Sequence, residues 1–138
     1  MKHGKKTVHI AVVGSRSYPR PEIVHEFVAS LPAECVVVSG GAEGVDSFAE
    51  EAAKTAGLET LIFPADWDGL GRKAGPIRNA EIVAVADRLV AFWDGHSRGT
   101  ANTILQATGR KLTIELYGPA GEPLPVEQAL RAARQTRR

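Results

Sequence analysis

Apolar positions gather in five short runs, Val8–Val13, Cys35–Val38, Leu58–Phe63, Arg88–Trp93 and Lys111–Tyr117, each followed by a longer stretch of mixed polarity. Most of these runs are apolar at successive positions, the pattern of strands covered by helices on both faces. The stretches between them predict helices over Pro21–Ser30, Val45–Ala56, Ile77–Val85 and Thr100–Gly109. Their ends carry suitable signals: Pro19 and Pro21 at the first start, Asp46 and Glu50 early in the second helix, Gly57 and Gly109 at the ends of the second and fourth. Regular β-α alternation implies right-handed crossovers and a doubly wound α/β sandwich with a parallel sheet. A last amphipathic helix, Val126–Arg134, follows the Gly/Pro-rich linker Gly118–Pro125. Residues 1–118 are expected to form the main body, and 119–138 a linker, helix and basic tail of the same domain.

In such a sheet the loops at the carboxyl ends of the strands share one edge, where ligands bind. Here they read Gly14-Ser15-Arg16-Ser17, Ser39 through Asp46, Pro64 through Asn79 and Asp94 through Thr100, all rich in glycine and polar groups. The opposite edge, as at Pro32-Ala33-Glu34, has no such concentration.

Length and charge narrow the classes. The 138 residues, 43% hydrophobic, suit one domain with its own core. A net charge of +1 demands neither nucleic acid nor an acidic membrane, although Arg131, Arg134, Arg137 and Arg138 make the tail basic. The lone cysteine, Cys35, sits at a strand start and excludes an internal disulfide framework. The basic start Met1–Lys6 precedes an apolar run too short for a signal peptide, and no stretch is long enough to span a membrane, so a cytoplasmic protein without membrane partners is expected. His3, His9, His25 and His96 lack metal-ligand spacing, so neither metal nor cofactor is expected.

The most informative segment is Asp94-Gly95-His96-Ser97-Arg98-Gly99-Thr100, which turns a strand into a helix beginning near Thr100. Its glycines let backbone approach a ligand, the new helix offers free N–H groups and a positive dipole end, and Arg98 adds a charge. A phosphate suits this turn; the plain alternative is a loop in which Thr100 caps the helix. Gly40-Gly41-Ala42-Glu43-Gly44-Val45-Asp46 makes a second such turn. There Asp46 either meets a ribose hydroxyl or stabilises the helix start, and the two roles are compatible.

After the first strand, Gly14-Ser15-Arg16 stands where a dinucleotide fold places Gly-x-Gly-x-x-Gly, but the later glycines are missing, and no P-loop sequence occurs. Arg16 is a candidate for phosphate or carboxylate, or a surface partner of Glu22. In the helix opened by Ala74-Gly75-Pro76, Arg78 and Glu81 share a face by their spacing. They form either an exposed ion pair or a site in which Arg78 holds an anion and Glu81 acts on a sugar or base. Ser15, Ser39 and Ser97 lack a nucleophile-elbow context. Trp67 either stacks on a base or covers the pocket, while Trp93 belongs to the core.

Taken in order, Gly14-Ser15-Arg16, Val38 through Asp46, Ala74 through Asn79 and Phe92 through Thr100 resemble the small SLOG-family proteins of the YpsA and YspA types, over roughly positions 8 to 116. The resemblance implies a Rossmann-like three-layer sandwich with a mainly parallel sheet that binds a nucleotide or nucleotide-derived ligand, with a homodimer possible by analogy. The related Lonely Guy phosphoribohydrolases use Pro-Gly-Gly-x-Gly-Thr-x-x-Glu. The stretch here keeps Gly99 and Thr100 but has Thr103 at the glutamate position, leaving Glu81 or Asp46 as carboxylates for N-glycosidic hydrolysis. The DNA-processing protein A family, which binds single-stranded DNA, carries a turn like Ser39–Asp46 and an Arg-Asn pair like Arg78-Asn79. The near-neutral charge and few aromatics argue against DNA.

On this reading the ligand is a phosphorylated nucleoside derivative, with single-stranded DNA as the alternative. Arg98, Gly99 and Thr100, with Asp94, Gly95 and Ser97 in the same turn, hold phosphate. Gly14, Ser15 and Arg16 surround the sugar together with Ser39, Gly40, Gly41, Ala42, Gly44 and Asp46. Arg78, Asn79 and Glu81 close the site.

Overall fold

The computed structural model describes residues 7–135. The Met1–Lys6 start and Arg137–Arg138 therefore lie outside the described residues. Five strands, β1 (Val8–Gly14), β2 (Cys35–Ser39), β3 (Glu59–Ile62), β4 (Arg88–Phe92) and β5 (Thr113–Tyr117), form one sheet in the order β3-β2-β1-β4-β5. Every pairing is parallel, with Ala11 opposite both Val38 and Leu89 at its centre. The expected Rossmann-like three-layer architecture is what the chain adopts.

The helices are α1 (Pro21–Ala29), α2 (Val45–Ala56), a short α3 (Trp67–Leu70), α4 (Ala74–Val85), α5 (Arg98–Gly109) and α6 (Val126–Gln135), with a 3-10 turn over Gly71–Lys73 before α4. Strand side chains alternate between two cores. Ile10, Val12, Val37, Val90 and Phe92 face α1 and α2. Ala11, Val13, Val38, Leu89 and Ala91 face the other layer, where Ile82 and Val83 of α4, Ile104 of α5 and Leu130 of α6 meet them. Burial on both faces is why the central strands read as unbroken apolar runs.

The structure corrects four boundaries. The run expected as a buried strand over Leu58–Phe63 is an edge strand of four residues, with Glu59, Thr60 and Ile62 exposed. Helix α4 starts at Ala74 instead of Ile77, because Pro76 falls in the first turn, where a missing N–H leaves no helical bond unmade. Helix α5 starts at Arg98, and its cap is Ser97, whose hydroxyl accepts the Thr100 N–H at 3.3 Å, so Thr100 is not the cap. The loop expected from Pro64 to Asn79 contains α3, held at its start by the Asp66 carboxylate, which accepts the Gly69 N–H at 3.0 Å.

After β1 and β2 the chain passes to the α1–α2 layer, and after β4 to the α4–α5–α6 layer. A crevice therefore opens beyond the carboxyl ends of β1 and β4, where the winding reverses.

Candidate functional site

That crevice is a cleft of about 140 Å³. The end of β1 provides its floor at Val13 and Gly14, α2 brings Asp46, α4 brings Arg78, Asn79 and Ile82, and α5 brings Gly99, Thr100 and Thr103. The loop residues Arg16, Ala42, Glu43 and Ser97 close its rim.

The two glycine turns are shaped by their own side chains. Both the Gly40 and the Ala42 N–H donate to Oδ2 of Asp46, at 3.1 and 3.3 Å. The Ser39 hydroxyl donates to Oε2 of Glu50 at 2.6 Å and accepts the Gly41 N–H at 3.3 Å. Gly44 has φ +84°, and a Cβ there would lie 2.5 Å from the Ser15 carbonyl oxygen, so only glycine lets the β2–α2 turn pass against the β1 loop. The Val45 N–H then donates to that same Ser15 carbonyl at 3.3 Å.

Asp46 is buried, which pushes its carboxyl up to about 6 even though the Ala42 and Gly40 N–H groups and the Arg78 charge pull the other way; Glu50 adds to the rise. Arg78 does not make the surface pair with Glu81 that its spacing allowed. Its Nη1 donates to the Gly40 carbonyl at 2.6 Å and its Nε to Oδ1 of Asn79 at 3.0 Å. Asn79 in turn donates to the Asn102 side chain at 3.3 Å. Two acceptors thus hold the guanidinium in the lining of the cleft.

At the far wall, Asp94 accepts the His96 and Ser97 N–H groups at 2.8 and 2.9 Å, and the Asp94 N–H donates to the Ser15 hydroxyl at 2.9 Å. Partial burial works against ionisation of Asp94, but these backbone donors and Ser15 outweigh it and hold the carboxyl below its ordinary value. Thr103, at the position of the Lonely Guy glutamate, donates its hydroxyl to the Gly99 carbonyl at 2.9 Å and has no carboxylate to offer.

The structure therefore gathers Gly14, Arg16, Ala42, Asp46, Arg78, Asn79, Ser97, Gly99 and Thr100 around one cleft. Ser15 and Ser39 are buried behind it as struts. Gly40 and Gly41 face an adjoining hollow, Gly44 forms the turn, and Asp94 supports the α5 start. Gly95 and Arg98 are exposed beyond the lining, and Glu81 is exposed on α4 outside the cleft. Sequence reasoning passed over Glu43, which pairs loosely with Arg16 at 3.9 Å in place of Glu22. It also passed over the role of Glu50, whose four-residue spacing from Asp46 on α2 was the available signal. Among the described residues no group of acidic, histidine or cysteine side chains is arranged to hold a metal ion, and no helix is long and apolar enough to cross a membrane.

Sheet order and cleft define an α/β protein of the Rossmann-like class with a cleft at the switch of winding. The chain belongs to the same family as the Gene 61 protein of Mycobacterium phage D29, to which it is 33% identical over 79% of its own length and 95% of the phage protein's. Residues 2–66, which carry the Gly14–Arg16 and Ser39–Asp46 turns, match the family model of DNA recombination-mediator protein A. The fold is similar to that of DNA processing protein A from Streptococcus pneumoniae, with a TM-score of 0.66 at 21% identity over 94% of this chain. It is also similar to DNA processing protein A from Helicobacter pylori, described for its single-stranded DNA binding mode, with a TM-score of 0.58 at 21% identity over 81% of this chain. The chain spans 55% and 65% of the length of those two solved chains. Of the resemblances read from the motifs, it is the one to DNA-processing protein A that these matches reach.

Proposed function

We propose that this protein binds single-stranded DNA in the manner of a DNA-processing protein A domain, seating the phosphate backbone at the carboxyl edge of the sheet. The observation that carries this reading is that Ser39–Asp46, inside the segment that matches the family model, and Arg78-Asn79, which resembles that family's Arg-Asn pair, meet through the Arg78–Gly40 and Asp46–Gly40 hydrogen bonds. Two arginines and the α5 N-terminus flank the cleft they form, a combination suited to phosphate. The expected nucleotide-derived ligand is retained as one unit of the strand. Cleavage of its glycosidic bond finds less support, since Glu81 stands outside the cleft and Asp46 is committed to loop N–H groups.

Fluorescence anisotropy with a labelled single strand, its duplex and free nucleoside monophosphates tests the reading. Single-strand binding that falls about tenfold or more in Arg78→Ala, consistent with loss of a charge-assisted phosphate contact, is the expected result. Binding of the monophosphate alone, with release of free base, would restore the hydrolase reading instead. Pairing of two copies, expected by analogy, is read from the particle mass by light scattering on the same sample.

A further inference from the structure

Trp67 is the most exposed of the large apolar side chains on the described surface, at 56%, and neither the fold nor the phosphate cleft accounts for it. It opens the short α3, whose start is fixed by Asp66. The far edge of its ring rests over Gly75, where a Cβ would lie 3.2 Å from Cη2. Any larger residue at position 75 would have to push the ring aside. Trp67 also lines a hollow of about 360 Å³ with Gly40, Gly41, Pro64, Arg16 and Arg78. Those two arginines border the smaller cleft as well, as does Glu43, so the two cavities share both cations and the carboxylate that pairs loosely with Arg16.

We infer that Trp67 is a stacking platform for one nucleobase, whose backbone phosphate is held between Arg16 and Arg78. This rests on the single-strand reading above and adds a base-binding subsite to it. The indole, more than half exposed, lines one hollow with two guanidinium groups, the pairing of aromatic ring and cation that sequence-tolerant strand binding uses. Gly40 and Gly41 contribute no side-chain bulk to its lining. A purely structural role as a cover for Gly75 requires contact of the ring edge only and leaves the remainder of the ring unused.

The test compares an oligothymidylate with an abasic strand of the same length, which keeps the phosphates and removes the bases. Both are titrated against the wild-type chain, Trp67→Phe and Trp67→Ala by anisotropy, with tryptophan emission followed in the wild type. The wild type is expected to prefer the oligothymidylate by on the order of tenfold, with quenching of the exposed indole. Trp67→Phe keeps most of that preference, and Trp67→Ala loses it while binding the abasic strand as the wild type does. Equal binding of both strands by the wild type, or an unchanged preference in Trp67→Ala, overturns the subsite and leaves the DNA reading standing. Failure of every strand to bind defeats the DNA reading and the subsite with it. Should Trp67→Ala not fold, the wild-type comparison of the two strands decides alone.

Discussion

A buried carboxylate whose ionisation is opposed by its own surroundings is a cost accepted for shape. Asp46 organises the β2–α2 turn and faces Arg78, yet its rise from 3.8 to about 6 corresponds to on the order of 3 kcal/mol withheld from the ionised folded state. Because its pKa is higher in the folded than in the unfolded chain, the folded state binds the extra proton between those values. Its contribution to stability therefore falls as pH rises from about 4 to about 6 and levels off above. Denaturant midpoints across that range should show this decline in the wild type, and the difference from Asp46→Asn should isolate it; parallel curves for the two proteins would refute the assignment. The lining of the cleft and the hollow beside it was legible where glycine and charge fall at strand ends, as at Gly14–Arg16 and Gly40–Asp46. It was not legible at Arg78 and Glu81, because helical spacing says which side chains share a face and not that a guanidinium will turn to a carbonyl 38 residues away.

At the scale of elements, α5 depends on a turn closed before it begins. The Asp94 carboxylate fixes the His96 and Ser97 N–H groups, and Ser97 then caps the helix, so the N–H groups at the α5 start inherit their direction from Asp94. Asp94→Ala is expected to cost about 1 kcal/mol, the usual scale of a lost cap, as measured by chemical denaturation. Its sign with pH is the reverse of that of Asp46. With a folded pKa below the ordinary 3.8, the Asp94 contribution is complete above that value and is lost as pH falls through the folded pKa. The hydrophobic runs made β1, β2 and β4 legible, since burial on both faces writes itself into every position. The place of β3 was hidden: Leu61 and Phe63 read as core, but edge and centre are assigned by strand order, which no local pattern encodes. Helix α3 was missed because four residues carry no periodicity, and its anchors are the Asp66 side chain and the distant Gly75.

For the whole molecule, a net charge of +1 sets the strength of non-specific attraction. If Arg16 and Arg78 each neutralise one phosphate, log K against log salt should have a slope near about −1.4, using roughly −0.7 per contact for single strands. Anisotropy titrations over a range of salt measure it, and a slope several times steeper would move the interface to the basic residues of α6 and the chain end. The parallel sheet and the edge on which its cleft opens were legible from β-α alternation alone, whereas the joining of two loop motifs into one cleft required the winding reversal between β1 and β4. One feature of that cleft bears on rates. The Gly41 N–H, the Ser39 hydroxyl and the Glu50 carboxylate form a chain that ties the mouth of the site to the second turn of α2. Among the described residues no buried side-chain nitrogen or oxygen lacks a partner. Under the proposed reading, a strand arriving at this mouth would meet a turn already fixed by its own hydrogen bonds, so little ordering would be left for the encounter to complete, and discrimination between strands would reside in how long each one stays.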